Sequence, residues 1–199
     1  INNTGTVTNS GTGTGATLVS GGIGSNVTTV TESSSTSALT ISGGVVVNGS
    51  GTTKTLAVGS GAALFTVSGG VTGTGNLALQ NNSATDNRLT VSTTSINNTG
   101  TVTNSGTGTG ATLISAIIAG NVTGVIQNSG SSKLILSADN SSGNSGYSSG
   151  TTIQAGTLQV STNSTALGTG GVTLGNTTGT SAASLLIDTT GLNVANAIT

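Results

Sequence analysis

Seven side chains carry formal charge in this 199-residue chain: Glu32, Asp86, Asp139 and Asp188, and against them Lys54, Arg88 and Lys133. Carboxylates are the material for a hard-cation site or for the paired acid and base of a glycosidase. These four stand more than forty residues apart, so only a fold that stacks distant segments would bring two of them together. That stacked pair is the enzymatic alternative; the plainer expectation places all four at solvated corners. Histidine and cysteine are absent, which removes the usual zinc ligands and the usual general base beside a nucleophilic serine. Lys54 and Lys133 are the only other candidate bases. The reading is therefore no catalytic residue, no metal ligand and no cofactor-binding residue.

Weaker motifs reduce in the same way. Gly11-Thr12-Gly13-Thr14-Gly15 has the spacing of a phosphate loop, but the lysine of such a loop is missing, and 34 glycines make the pattern common by chance. No Gly-Gly-x-Gly-x-Asp calcium repeat occurs. Asp86 and Arg88, two residues apart, are expected to pair on one strand face at about 0–1 kcal/mol. Asn-x-Ser/Thr sequons begin at Asn2, Asn26, Asn48, Asn81, Asn97, Asn121, Asn140, Asn163 and Asn176 and are read as accidents of composition. Thr6-Val7-Thr8 and Thr101-Val102-Thr103 fit an outward hydroxyl ladder able to meet ice or sugar, although outward threonine is also ordinary strand filler. The two aromatic residues, Phe65 and Tyr147, are expected to fill or cap a core.

Composition narrows the partners. A formal net charge of -1 with three basic residues cannot neutralise a phosphate backbone, so nucleic acid is not expected. No apolar run reaches the eighteen or so residues of a membrane helix, and no signal or lipidation motif is present. Leu, Ile, Val and Phe together make up 46 residues, just above the level at which disorder becomes the default. Charged residues are only 4% of the chain, which argues against a self-repelling coil.

The elements that would position any site are short and regular. Leu39-Thr40-Ile41, Leu56-Ala57-Val58, Phe65-Thr66-Val67, Leu77-Ala78-Leu79, Leu89-Thr90-Val91, Leu134-Ile135-Leu136, Leu158-Gln159-Val160 and Val172-Thr173-Leu174 each set two apolar side chains on one strand face. Turn clusters such as Ser42-Gly43-Gly44, Asn48-Gly49-Ser50-Gly51 and Asn81-Asn82-Ser83 separate them. Short strands at this spacing suit a sandwich, a barrel or a solenoid.

Repetition chooses among the three. INNTGTVTNSGTGTGATLVS at residue 1 returns ninety-five residues later, changed only at Val19 against Ile114, and residues 21–42 keep that offset from 116–137 without a gap. The chain is thus read as two units, 1–95 and 96–199, of a single β-solenoid segment, 1–199, expected to be a fragment of a longer repeat array, with roughly eight to ten rungs of about 20–25 residues. In such a coil Val, Leu and Ile line a narrow core, Thr and Ser face water, and Gly and Asn turn the corners, where an Asn side chain can bond the Asn above. Charge is scarce because like residues stack about 4.8 Å apart.

Gly146-Tyr147-Ser148-Ser149-Gly150-Thr151-Thr152-Ile153, then Ala155-Gly156-Thr157-Leu158-Gln159-Val160, then Ala166-Leu167-Gly168-Thr169-Gly170-Gly171-Val172-Thr173-Leu174, closing on Val194-Ala195-Asn196-Ala197-Ile198-Thr199, resembles the autotransporter-associated β-strand repeat. Ser145 and Gly146 stand where that repeat has Asn-Thr, Ser149 where it has Gly, and Ala197 where it has Pro. The resemblance covers about residues 140–199. It implies a right-handed parallel β-helix on the surface-exposed passenger region of large exported bacterial proteins, often adhesins or structural stalks. It brings no catalytic residues. The function expected is a non-catalytic scaffold of an extracellular surface protein or fibre, self-associating end to end or laterally. The alternative is an adhesin that binds surface glycan through its Thr/Ser/Asn-rich face.

Overall fold

The computed structural model describes residues 1–49, 51–176, 180–188 and 190–199. Ser50 of the Asn48 turn and sequon, and Thr178 of the Asn176 sequon, lie outside them. The strands in chain order are β1 Gly5–Asn9, β2 Thr17–Val19, β3 Val27–Glu32, β4 Leu39–Ile41, β5 Val45–Val47 and β6 Thr53–Val58. There follow β7 Phe65–Val67, β8 Val71–Gly73, β9 Asn76–Asn81, β10 Leu89–Val91, β11 Gly100–Asn104 and β12 Thr112–Ile114. The last are β13 Val122–Asn128, β14 Leu134–Leu136, β15 Thr151–Val160, β16 Val172–Leu174 and β17 Ala183–Ile187. All eight triplets read from alternation lie within strands. A single 3-10 turn, Ser142–Asn144, is the helical content among the described residues, and no helix there is long and apolar enough to cross a membrane.

Among the described residues every pairing between these strands is parallel, beside one isolated antiparallel bridge from Ala119 to Gly146, and the chain winds into a β-solenoid of about 8 turns. One wall stacks β1, β3, β6, β9, β11, β13, the first half of β15 and then β16. A second wall stacks β2, β4, β7, β10, β12, β14, the second half of β15 and β17. A third, sparser wall holds β5 and β8, extended by parallel bridges through Ile23, Ile96 and Ile118. β15 crosses directly from the first wall to the second, bending at Gly156, whose φ of +74° suits glycine and few other residues.

Alternation sets the core. In the second wall Leu39, Phe65, Leu89, Leu134 and Leu158 lie in one inward column and Ile41, Val67, Val91, Ile114, Leu136 and Val160 in the next, all buried. Phe65 and Tyr147 are both fully buried, and the Tyr147 hydroxyl shares a 2.7 Å hydrogen bond with Thr151 Oγ1. Burial pushes the Tyr147 phenol above its ordinary range.

The repeat period is four turns of the coil, as rungs of about 20–25 residues require. Val7 pairs with Val30, Val30 with Leu56, Leu56 with Leu79, and Leu79 with Asn104, so β1 and β11, the same five residues ninety-five positions apart, are separated by four turns. Twinned residues are four rungs apart, not neighbours. The same bulge recurs in each unit, after Gly5 and after Gly100. The asparagine amides at two corners serve the backbone of an adjacent rung rather than another asparagine: Asn98 Nδ2 donates to Gly75 O and Asn76 Oδ1 accepts from Thr101 N.

Candidate functional site

At the corner between the first two walls, polar side chains turn inward. Asn9 ends β1 and donates through Nδ2 to Glu32 Oε2 and to Ser37 O, both at 2.8 Å, while Thr17 Oγ1 donates to Asn9 Oδ1 at 3.2 Å. Ser34 N donates to Glu32 Oε1 at 2.6 Å, Ser34 Oγ to Gly11 O, and Ser37 Oγ to Gly15 O at 2.6 Å. Ninety-five residues on, the arrangement is rebuilt. Asn104 Nδ2 donates to Gln127 Oε1 at 2.8 Å and to Ser132 O at 2.9 Å, and Thr112 Oγ1 donates to Asn104 Oδ1 at 3.0 Å. Ser129 Oγ reaches Gly106 O and Ser132 Oγ reaches Gly110 O.

The two clusters differ in one group. Gln127 Nε2 donates to Ser129 O and Ser132 O at 3.0 and 2.9 Å, bonds a carboxylate cannot make. Glu32 is fully buried, which corrects the expectation of four solvated acids: as the last residue of β3 it faces inward. Replacing Glu32 by Gln is expected to raise stability by about 1 kcal/mol, because the amide reproduces the second cluster and removes an anion from a site with no cation. The urea midpoint measures it, and a fall would show that the Ser34 N–H bond to the carboxylate outweighs both gains.

The other acids do lie at corners, apart from one another. Asp86 Oδ1 accepts from Ala111 N at 2.7 Å, and Asp188 Oδ2 from Gln159 Nε2 at 2.6 Å. Asp139 accepts from Thr165 Oγ1 at 2.6 Å, Ser141 N at 3.0 Å and Asn144 Nδ2 at 2.8 Å. The Thr165 hydroxyl and the Ser141 N–H hold its carboxyl below the usual range. Among the described residues no three His, Cys, Asp or Glu side chains form a group able to hold a metal ion. The pairing of Asp86 with Arg88 is not formed: both precede β10 in the corner rather than sharing a strand face, the Asp86 carboxylate turns to the next rung, and Arg88 Nε is buried without a partner.

Lys54, a candidate base, sits at an inward position of β6 beside Leu77, 2% exposed, with Nζ donating to Gly24 O at 3.0 Å and to Val27 O. In the second unit Ser149 Oγ donates to Val122 O at 3.1 Å, so a hydroxyl serves the carbonyl that corresponds to Val27 O. The ammonium is thus a backbone partner rather than a poised base. Burial lowers its pKa from 10.5. The unfolded lysine therefore holds its proton to higher pH than the folded one, and stability rises with pH across that window. A gain in melting temperature as the pH is raised toward 10.5, the ordinary lysine value, absent in Lys54→Met, is expected; identical profiles would refute it. Tyr147, with its pKa raised, acts oppositely only above about pH 10, so the difference between the two profiles isolates the lysine.

The threonine ladder is real but short. Thr6, Thr29 and Thr55 stack in register on the outer face of the first wall, flanked by Thr8 and Thr31, and the columns break at Ala57 and Ala78. Thr103 stands beyond the break between Ala78 and Ile126. Of the sequon asparagines, Asn81 and Asn140 are buried and closed to modification.

The duplicated cluster was missed because no local motif marks it. Its signal was the offset itself, which pairs Asn9 with Asn104, Glu32 with Gln127, Ser34 with Ser129 and Ser37 with Ser132. No family model matches the chain, and neither a curated protein nor a solved structure is similar to it.

Proposed function

We infer that the chain is a non-catalytic scaffold, a stiff rod in an extracellular bacterial surface protein or fibre of the autotransporter-associated β-strand repeat kind. One observation carries the reading: the four carboxylates and Lys54 are spent on bonds between rungs. Glu32, Asp86, Asp139, Asp188 and Lys54 each bond to the backbone or to a corner side chain, while parallel ladders run the length of the coil. A rod held by continuous backbone bonds needs neither metal nor disulfide. Immunogold labelling of intact producing cells, together with limited proteolysis, tests this reading. Label on surface stalks and a chain resistant to protease support it; label confined to the cytoplasm, or a chain rapidly degraded, overturns it.

The five stacked threonines favour a second reading, glycan binding by the outer face of the first wall. Their hydroxyls repeat at about 4.8 Å along the axis and about 6.8 Å along a strand, a lattice a linear sugar can meet. Binding on a glycan array that disappears in Thr29→Lys would support it, and silence of the whole array would remove it.

A further inference from the structure

Among the described residues the buried ammonium of Lys54 has no counter-charge. Its Nζ donates to main-chain carbonyls alone, Gly24 O at 3.0 Å and Val27 O. A cavity of about 110 Å³ lies beside it, at the corner that joins β5 to β6. Ser25, Val27, Thr28, Thr52 and Thr53 line that cavity and carry no charge; the other lining residue is Asn48.

Asn48 stands before Gly49, and no other asparagine of the chain is followed by glycine. That dipeptide has a chemistry of its own. The main-chain nitrogen of the following residue can attack the asparagine Cγ, and glycine, having no Cβ, neither blocks the approach nor restricts the backbone that must make it. Both reacting groups are free here. Asn48 is exposed, and among the described residues neither its side-chain amide nor the Gly49 N–H has a hydrogen-bond partner. Thr52 holds the two carbonyls instead, Oγ1 donating to Asn48 O and N to Gly49 O at 3.0 Å. Elsewhere asparagine amides are committed: Asn9, Asn81, Asn98, Asn104 and Asn140 all bond across rungs.

The second unit lacks both members of the pair. Val46 N donates to Ile23 O and Tyr147 N to the twin Ile118 O, while Leu56 pairs with Val30 and Thr151 with the twin Val125. Between these anchors the first unit runs from Val46 to Leu56 and the second only from Tyr147 to Thr151. The corner that holds Asn48 is therefore absent there, and Ser149 gives Val122 O the bond that Lys54 gives Val27 O. Asparagine-glycine and buried lysine occur together and are lost together.

We propose that Asn48 deamidates without an enzyme and that the aspartate formed is the counter-ion of Lys54. The Gly49 nitrogen bonds to Asn48 Cγ, the C–N bond of the side-chain amide breaks, and ammonia leaves with the proton of the Gly49 N–H, closing a succinimide. Water then opens the ring. Cleavage at Cγ restores the main chain with an aspartate; cleavage at the main-chain carbonyl gives isoaspartate. The sum exchanges an amide and a water for a carboxylate and an ammonium ion, with no change of oxidation state. Aspartate has the reach of asparagine, so its carboxylate lines the cavity where the amide did. An opposite charge there favours the protonated lysine and offsets part of the cost of its burial. The rungs around β6 thus gain their ion pair after folding.

Peptide mapping of the full chain, kept folded in mildly alkaline buffer for days, is the first test. The peptide holding Asn48 should gain the mass difference between an amide and an acid and show isoaspartate, while the other asparagines keep their amides and Asn48→Gln stays unchanged. The second test is Asn48→Asp, which should melt about 2–4 °C above the fresh protein at neutral pH and lose that gain in the Lys54→Met background. Its Lys54 Cε, followed by carbon NMR, should titrate at higher pH, a measurement that decides alone if Lys54→Met does not fold. With the lysine proton so held, the gain in melting temperature on approach to pH 10.5 shrinks. An Asn48 amide that outlasts those of the other asparagines would overturn the proposal. So would an Asn48→Asp variant that melts no higher than the fresh protein, or that leaves the Lys54 titration where it was.

Discussion

Asn104→Leu lowers the stability of the rungs around it by about 3–5 kcal/mol, against about 1 kcal/mol for Asn9→Leu. Leucine matches asparagine in size but can neither donate nor accept. In one step it strips Gln127 Oε1 of its Asn104 donor, Ser132 O of one of its donors and Thr112 Oγ1 of its acceptor. Asn104, Gln127, Ser132 and Thr112 are all fully buried, so no water replaces what is lost, and each orphaned group costs about 1–3 kcal/mol. Asn9 makes the same bonds on the first rung, where it is only half-buried, and water reaches the gap. A coil unfolds in parts, so native-state hydrogen exchange at Thr112 and Gln127, not a global midpoint alone, is the suitable measure. Equal costs at the two positions would show that the clusters are not held by buried hydrogen bonds.

Gly156→Val unravels the last two rungs, at a cost of about 3–5 kcal/mol. β15 carries the chain through a corner that elsewhere takes a loop, and Gly156 makes that bend at φ +74°. A Cβ there would lie 1.9 Å from Ser129 O and 3.2 Å from Gln127 Nε2. Both the backbone conformation and the close approach to the rung before it exclude a side chain. The amides of Leu158 and Val160, which pair with β14 and β17, should lose exchange protection, while those of β4 and β7 keep theirs. Loss of protection along the whole coil would mean that the rungs unfold as one unit.

What could be read from the sequence followed the range of the interaction involved. Leu39-Thr40-Ile41 and its seven counterparts declare themselves, because a strand one face of which is buried must alternate whatever lies beside it. β5 and β8 did not, since Val45-Val46-Val47 and Val71-Thr72-Gly73 show no such contrast with their flanks. Burial of Glu32 and Lys54 was unreadable locally: each is enclosed by a rung some twenty to thirty residues away, through Asn9 and Gly24. Asp86 and Arg88 misled because spacing two was taken for a strand, whereas the chain there is still turning toward Leu89. The polar corner was present only as agreement between two distant stretches.

The four-turn period has a consequence for growth of the rod. A block of ninety-five residues enters and leaves through the same kind of rung, with the same bulge at Gly5 and Gly100. Copying or excising one whole block therefore alters reach by a quantum of about 19 Å and leaves every seam as it was. Gain or loss of any other number of turns would set mismatched corners against each other.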